Sequence, residues 1–399
     1  MDERERFLQL SRCDSDDGYR ACLVEAMESV QSGADLLLRR MYRNGGVPAF
    51  NYMTGGYRFT EAYCPDEWES FQWVGFLAGR LWLLFVYTGQ GRYAEGARRL
   101  CEFLIPVLTE RPPRFTAAGA DIYYGLCLGY EATQERALRD AAIAAIEQFV
   151  HLFDVRAGVF YQVADADRVV IDTGLNLGAL YWAQRFGKSY ARIAEAHVRS
   201  ILRLGLVRPD GSVYQAVDVE RRTLRASRPY TLQGYSDETT WARGQAWAMH
   251  LFASAYEGTG AKDILEVACR VADWYVSHVP ADLVPFYDFE DPGRPSVPRD
   301  SCAAAIAVAA LIRLAKWLPM RARLYRRIVE STLQELVLNY LSPGGVLLHG
   351  SWGRMRGEKA RLRLGRFPQE DVMPYGNYWI VECLFRELRP EWPGLSLGA

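Results

Sequence analysis

Two aspartates are the residues of this chain whose type and position best suit them to proton transfer. Asp121 and Asp172 each stand at the predicted start of a helix rich in apolar and aromatic residues. Two carboxylates that face one cleft lined with Trp and Tyr can perform acid/base chemistry on a sugar. Burial against aromatic rings and the proximity of a second carboxylate would raise the pKa of one acid. That acid would then stay protonated near neutral pH, as a proton donor must.

A second candidate lies in the segment 233–247, which reads Gln-Gly-Tyr-Ser-Asp-Glu-Thr-Thr-Trp-Ala-Arg-Gly-Gln-Ala-Trp. It predicts a polar loop that leads into a helix, with Ser236 or Asp237 as the cap. Arg243 and Trp247 lie four residues apart and share a helix face. A fixed guanidinium matches a carboxylate with two hydrogen bonds, and an indole offers a flat apolar platform. The pair suits a planar, anionic, sugar-like ligand, and the alternative is a buried aromatic helix with a snorkelling arginine.

The composition narrows the classes of function. Half of the residues are hydrophobic and the net charge is −1, which is typical of a soluble globular protein. Because there is no basic excess, we expect no nucleic-acid partner. The charged start and the short apolar runs argue against a signal peptide and a membrane span, so we expect a cytoplasmic protein. The cysteines and histidines show no metal-binding spacing, and we expect neither a metal nor a cofactor.

Two kinds of helical stretch alternate along the chain. Six are apolar nearly all round and must be buried on every side, namely residues 74–87, 121–130, 175–183, 241–256, 303–314 and 378–385. Six are amphipathic and charged, as surface helices are, namely residues 20–41, 93–108, 135–153, 190–204, 264–278 and 324–341. Strand-like runs are few and short, at residues 158–163 and 345–349.

This alternation predicts an all-α fold, an (α/α)6 barrel in which six helical hairpins close into a ring. We expect one domain over residues 1–399, with residues 1–16 as a peripheral or poorly ordered extension. The alternative is an open α-solenoid, whose repeats would be more uniform in length. In a closed ring the inner helices run parallel, so their N-termini meet at one end. Long loops lead into those N-termini, and we expect the functional site there.

Three segments resemble the unsaturated glucuronyl hydrolases, glycoside hydrolase family 88. They are Asp172-Thr-Gly-Leu-Asn-Leu-Gly-Ala-Leu-Tyr-Trp-Ala, the segment from Gln233 to Trp247, and Tyr287-Asp-Phe followed by Arg299-Asp-Ser. The similarity extends from about residue 66 to about residue 386, and the tryptophan-flanked Ala-Arg-Gly-Gln-Ala run is fairly specific. Members of the family fold as (α/α)6 barrels, which agrees with the pattern of helices.

The resemblance implies a hydrolase of oligosaccharides or glycosides that carry a non-reducing 4,5-unsaturated uronic acid. In that family an acid protonates C4, water adds at C5, and the resulting hemiketal opens to release the aglycone. Carried over by position, Asp172 would be the general acid/base, and Asp121 would hold sugar hydroxyls and tune Asp172. The substrate-binding positions would be Gln233, Arg243, Trp247, Gln215, Trp352 and Trp73.

Three positions depart from the family's pattern. Gln215 stands where the family has a histidine, Trp352 where it has a tyrosine, and Ala120 where it often has a histidine. Because glutamine cannot carry charge or shuttle a proton as histidine does, we expect a shifted specificity. The open alternatives are an unsaturated rhamnogalacturonyl-type hydrolase, an enzyme that tailors a uronyl-bearing natural product, and a non-catalytic saccharide-binding barrel.

Overall fold

The computed structural model describes residues 16–51, 56–60, 73–354 and 369–397. The inner helices within these ranges are α2 (Val74–Thr88), α4 (Asp121–Cys127, continued by Leu128–Thr133), α6 (Gly178–Trp182), α8 (Ala242–Thr259), α10 (Ser301–Trp317) and α12 (Pro374–Leu388). The outer helices are α1 (Asp16–Asn44), α3 (Gly91–Glu110), α5 (Arg136–Phe149), α7 (Ala191–Arg203), α9 (Lys262–His278) and α11 (Pro319–Glu335). Each predicted helical stretch overlaps one of these helices.

The inner helices close into a ring. Each inner helix packs against the next one along the chain, and α12 packs against α2. Helix α10 shows how this close packing is reached, since its first eleven residues are all buried and six of them are alanines. Short side chains let neighbouring helix axes approach, and the interior is filled at the density of a close-packed core. The predicted (α/α)6 barrel is therefore confirmed, and the open solenoid is excluded.

Glycines end several inner helices and set their direction. Gly89 follows α2 and Gly260 follows α8, both in the left-handed conformation, with φ of 71° and 68°. The N–H groups of these glycines donate to carbonyls in the last turn of their helices, which stops the helix and turns the chain outward. Since each short turn leads to an outer helix that runs back, all inner helices start at the same end of the barrel.

Four antiparallel two-stranded ribbons lie among the described residues. They pair β1 (Val47–Asn51) with β2 (Gly56–Thr60), β3 (Phe153–Asp154) with β4 (Val159–Phe160), β5 (Arg168–Val170) with β6 (Ala216–Asp218), and β7 (Gly350–Gly353) with β8 (Gln369–Asp371). The strand predicted at 158–163 overlaps β4. The strand predicted at 345–349 is wrong, because Leu347 makes only an isolated bridge to Leu341 and the strand starts at Gly350.

The predicted cap of α8 is also wrong. The helix begins at Ala242, and its N-cap residue, Trp241, makes no side-chain cap hydrogen bond. Asp237 instead accepts a hydrogen bond from the backbone N–H of Thr231 at 3.1 Å. The loop before the helix is held by Asp288, whose Oδ2 accepts from the backbone N–H of Tyr235 and from the Thr239 hydroxyl. The Ser236 hydroxyl likewise accepts from the backbone N–H of Glu238, so both predicted caps stabilise the loop and not the helix.

The expected N-terminal extension lies outside the described residues except for Asp16, which begins α1. No helix in the described ranges has both the length and the apolar character that crossing a membrane requires. A cluster of three or more His, Cys, Asp or Glu side chains that could hold a metal ion is likewise absent from those ranges.

Candidate active site

An aromatic cavity lies at the end of the barrel where the inner helices start. It is lined by Trp73, Thr116, Ala117, Gln162, Val170, Asp172, Thr173, Leu175, Asn176, Gln233, Trp241, Arg243, Trp247, Trp352 and Tyr375. Eight side chains were predicted as site residues from the sequence, and six of them line this cavity, namely Asp172, Gln233, Arg243, Trp247, Trp352 and Trp73. Asp121 and Gln215 do not line it.

Asp172 is the one carboxylate among the described residues that line the cavity. Strand β5 leads into a 3-10 turn, Ile171–Asn176, that carries it. Its Oδ2 is buried and has no hydrogen-bond partner among the described residues. Burial raises the pKa of the Asp172 carboxyl to about 6, while the positive charge of Arg243, a backbone N–H and the Gln215 amide oppose that rise. An appreciable fraction of Asp172 is therefore protonated near neutral pH.

Three further polar atoms on the cavity wall have no partner among the described residues. They are Thr173 Oγ1, Asn176 Oδ1 and Trp241 Nε1, all buried. Gly119 lets the wall come close, because a Cβ at this position would lie 2.3 Å from the backbone oxygen of Asn176. Buried polar groups without partners are rare in proteins. Those on this wall can form hydrogen bonds with the hydroxyl groups of a sugar.

Arg243 is held rigidly in the wall. Its Nη1 donates to the Asp300 carboxylate and to the backbone oxygen of Ser351. Its guanidinium carbon lies 4.7 Å from the ring centroid of Trp241 and 5.3 Å from that of Tyr375. Asp300 is fixed in turn, because it caps α10 by accepting from the backbone N–H of Ala303. The hydrogen bonds of Arg243 to described residues all use Nη1, so Nε and Nη2 can serve a ligand.

Tyr375 lies at the centre of the aromatic part of the cavity, and it is not among the site residues that the sequence predicted. Its ring lies edge-on to Trp73, Trp247 and Trp352, with centroid distances of 5.8, 6.1 and 6.4 Å. It stands in the first turn of α12 directly after Pro374. A proline at the start of an apolar helix marks that helix's first turn, and this signal would have identified Tyr375 as a residue at the mouth.

Asp121 lies at a contact between helices. Its Oδ1 accepts a hydrogen bond of 2.7 Å from the backbone N–H of Gly75, at the start of α2. A Cβ on Gly75 would lie 2.3 Å from the Asp121 Cα, so α2 and α4 touch at this point. Asp121 is not among the residues that line the cavity with Asp172, and its predicted contact with sugar hydroxyls stays a prediction. Thr116 and Ala117 occupy the cavity wall just before α4.

Gln215 lies behind the wall and contacts a residue that lines it. The side chain is 3% exposed, and its Nε2 donates to Gln233 Oε1 at 2.8 Å. Gln233 in turn donates from its Nε2 to the backbone oxygen of Trp352 at 2.8 Å. The side chain of Gln215 therefore lies behind Gln233 in the wall, and its predicted contact with substrate stays a prediction.

Comparison with known proteins identifies the family of this chain. The chain is 33% identical over 341 residues to the unsaturated glucuronyl hydrolase of Bacillus sp. strain GL1, and the alignment covers 80% of this chain and 86% of that protein. The chain belongs to the unsaturated glucuronyl hydrolase family. The resemblance inferred from the three sequence segments is thereby confirmed, and the protein is a glycoside hydrolase. No protein-family model matches the chain.

One further relative and one solved structure support membership of the unsaturated glucuronyl hydrolase family. The chain is 26% identical over 340 residues to the unsaturated chondroitin disaccharide hydrolase of Streptococcus pneumoniae, covering 80% of this chain and 81% of that protein. The crystal structure of the unsaturated glucuronyl hydrolase from Bacillus sp. GL1 matches with a TM-score of 0.79 and 27% identity. That match covers 92% of this chain and 97% of the solved chain, so it includes nearly the whole barrel.

Proposed function

We propose that the protein hydrolyses glycosides or oligosaccharides whose non-reducing sugar is a 4,5-unsaturated uronic acid. The observation that carries the proposal is Asp172, a buried and partly protonated carboxyl that lines an aromatic cavity beside Arg243. The names of the relatives from Bacillus sp. GL1 and Streptococcus pneumoniae, an unsaturated glucuronyl hydrolase and an unsaturated chondroitin disaccharide hydrolase, support the same class of substrate.

In the proposed reaction Asp172 is the proton donor. The C4=C5 bond of the sugar is a vinyl ether, because C5 carries the ring oxygen. Asp172 gives its proton to C4, and positive charge develops at C5 and the ring oxygen. Water adds at C5 and returns a proton to the Asp172 carboxylate, so the sugar gains one water molecule. The hemiketal at C5 then opens, and the aglycone leaves from C1 with no displacement at that carbon.

Arg243 has two roles in this proposal. It pairs with the carboxylate at C5 through Nε and Nη2, which its bonds to Asp300 and Ser351 do not use. Its positive charge also lowers the pKa of Asp172 against the larger effect of burial. It therefore stabilises the anion that Asp172 becomes once its proton has gone to C4.

The aromatic and polar lining completes the sugar site. Trp247 and Trp352 offer apolar faces for the ring, and Gln233 offers an amide N–H to an oxygen of the substrate. Thr173 and Asn176 supply a hydroxyl and a carbonyl without described partners, which suit the hydroxyls at C2 and C3.

The proposal is tested with purified protein and unsaturated disaccharides from chondroitin, hyaluronan, heparin and pectin-type lyase digests. The ultraviolet absorbance of the conjugated double bond is followed over time. Loss of absorbance with at least one disaccharide, absent with Asp172→Asn, is the expected result. An Asp172→Asn variant with near-normal turnover would refute the role of this residue.

Three further outcomes with the same disaccharides separate the alternatives. In water labelled with ¹⁸O, hydration places the label at C5 of the released sugar, whereas displacement at the anomeric carbon places it at C1. Binding of several disaccharides without any loss of absorbance would favour a non-catalytic saccharide-binding barrel. A response confined to the pectin-type disaccharide would favour a rhamnogalacturonyl-type specificity.

A further inference from the structure

Gln215 has an unusual set of hydrogen bonds for a side chain that does not reach the cavity. Its Oε1 accepts three of them, from the Thr231 hydroxyl at 3.2 Å and from the backbone N–H groups of Leu232 and Gln233 at 2.8 and 2.9 Å. Its Nε2 donates to Gln233 Oε1 at 2.8 Å. Both ends of the amide are thus engaged in a buried setting.

These contacts fix the direction of the Gln215 amide. Backbone N–H groups can only donate, so the atom that meets those of Leu232 and Gln233 must be the amide oxygen. The opposite orientation would place an NH₂ group against two N–H donors, which is unfavourable in a buried place. The Nε2 atom of Gln215 is therefore held toward Gln233. The backbone N–H of Ile171 donates to the Gln215 carbonyl at 2.9 Å, so residue 215 lies directly beside the chain segment that carries Asp172.

The Gln233 amide is fixed from its other side in the same direction. The backbone carbonyl of Trp352 can only accept, so the Gln233 atom 2.8 Å from it must be Nε2. Gln233 Oε1 then faces Gln215 Nε2, as the contact at 2.8 Å requires. A donor-only group at one end and an acceptor-only group at the other end thus specify one direction for the whole chain of amides.

We propose that Gln215 is a positioning residue, which keeps the Gln233 amide nitrogen facing Trp352 and the cavity and presents one N–H to the Asp172 carboxylate. The proposal rests on the proposed function, since it takes Asp172 and Gln233 to act on the sugar. Gln215 supplies no proton and touches no substrate. Because an amide does not titrate, it holds this arrangement at every pH at which the protein is folded.

The chemical consequence concerns Asp172 after proton transfer. An N–H that points at a carboxyl favours the ionised form, and the amide of Gln215 lowers the pKa of Asp172. The charged group that faces Asp172 is Arg243, which is itself paired with Asp300. The fixed dipole of the Gln215 amide and the positive charge of Arg243, which Asp300 partly neutralises, therefore act together. Both stabilise the Asp172 carboxylate, which must accept a proton from water.

A histidine cannot make the same contacts. An imidazole has at most one acceptor nitrogen and, once protonated, has none. It cannot accept from the Thr231 hydroxyl and from two backbone N–H groups at the same time. The loop 231–233 and the glutamine at residue 215 thus match one another, and Gln215→His is expected to lose that match.

The test compares Gln215→Glu with Gln233→Met. Glutamate keeps the shape and an oxygen for the three donors of the loop, but it has no N–H for Asp172 or Gln233 and places a second carboxyl near Asp172. Gln233→Met removes the second amide and leaves the contact between Gln215 and Asp172. Thermal unfolding of each variant establishes that it is folded, and Gln215→Met replaces Gln215→Glu in every measurement if the latter does not fold.

Two readouts are needed, and the first does not depend on turnover. The titration midpoint of Asp172 is measured by infrared difference spectroscopy in protein without ligand, with Asp172→Asn identifying the band. We expect the midpoint to rise by about one pH unit or more in Gln215→Glu and by less than half of that in Gln233→Met. With an unsaturated disaccharide, Gln233→Met should raise KM about tenfold, whereas Gln215→Glu should also lower kcat about tenfold.

The results separate this inference from the proposed function. An unchanged midpoint in Gln215→Glu and Gln215→Met, with kinetics within twofold of the wild type, would overturn the positioning role while the function stands. The expected shift of the midpoint, without turnover of any disaccharide, would support the positioning role and reject the function. A wild-type titration midpoint and wild-type thermal unfolding in Gln215→His would contradict the argument that three acceptor bonds are needed.

Discussion

The two ends of the helix pair α8 and α10 each carry a buried pair of arginine and carboxylate. At the cavity end, Arg243 near the start of α8 pairs with Asp300 at the cap of α10. At the opposite end, Arg313 of α10 pairs with Glu257 of α8. Both arginines are 2% exposed. Helices α8 and α10 are thus joined by a buried ion pair of arginine and carboxylate at each end. The two pairs differ in how many nitrogens of the arginine form hydrogen bonds.

Arg313 uses all three of its side-chain nitrogens. Nε and Nη2 bind both oxygens of Glu257 at 3.0 and 2.7 Å, and Nη1 donates to the Ser254 hydroxyl at 2.9 Å and contacts His250. Arg243 makes its described hydrogen bonds through Nη1 alone. A guanidinium with every nitrogen engaged stabilises the fold, whereas one that is anchored at a single nitrogen can still bind a ligand.

The largest expected effect is on stability at the end opposite the cavity. Arg313→Met leaves Glu257 buried without its partner, which costs about 3–5 kcal/mol of the free energy of unfolding. Urea denaturation measures this loss. The kcat/KM per folded molecule should stay within twofold of the wild-type value, because Arg313 does not line the cavity. A much larger loss of kcat/KM in the folded variant would show that the two ends are coupled.

The next effect is on activity at the cavity end. Arg243→Lys keeps a positive charge beside Asp300 but loses the planar pair of donors, Nε and Nη2. We expect kcat/KM for the best disaccharide to fall about 100-fold, since hydrogen bonds to a charged group contribute about 1.5–3 kcal/mol. The unfolding free energy should change far less than in Arg313→Met. Unimpaired turnover with a large loss of stability would reverse the roles assigned to the two arginines.

Asp172, at the cavity end, is expected to lower the free energy of unfolding by an amount that depends on pH. The folded protein raises the pKa of Asp172 from 3.8 to about 6, so the folded state binds more protons than the unfolded state between these values. The free energy of unfolding should therefore fall as the pH rises from about 4 to about 6. Two pKa units correspond to about 3 kcal/mol, and Asp172→Asn should gain up to that amount at pH 7–8. Equal stability of the two proteins from pH 4 to pH 8 would contradict the raised pKa.

The smallest expected effect concerns the compensation of charge at Arg243. Asp300→Asn leaves the guanidinium charge without its counter-ion, so Arg243 should lower the pKa of Asp172 further, by about one unit. The pH at which kcat/KM begins to fall should move down by the same amount. Glu257→Gln is the matched control at the other pair, and it should leave that pH unchanged. An equal shift in both variants would mean that the effect is not specific to the cavity end.

The sequence predicted the barrel well because the pattern of apolar and charged residues that marks each helix lies within that helix. A helix that is apolar all round must be inside, and a striped one must be outside, so each predicted stretch fell on a helix of the structure. The position of the cavity followed from the same alternation. Residues such as Trp247, which lies in the first turns of an inner helix, could be identified because that turn faces the mouth of the barrel.

The features that the sequence did not predict have a different physical origin, since they depend on contacts between distant segments. Asp121 was read as the first residue of an inner helix, but the helical path starts earlier, at Ala118–Ala120, and Asp121 faces Gly75. The sequence did not show that the loop 231–233 holds the Gln215 amide behind the wall. No periodicity or spacing in the sequence records such pairings, because they join segments that are far apart along the chain.

The most direct test of the central claim is the pH dependence of kcat/KM for the disaccharide that is turned over fastest. If protonated Asp172 is the acid that protonates C4, kcat/KM is level at low pH and falls tenfold per unit above about pH 6, the pKa that burial gives this carboxyl. A kcat/KM that instead rises with pH through 6 would mean that the ionised carboxylate starts the reaction, and that Asp172 acts as a base.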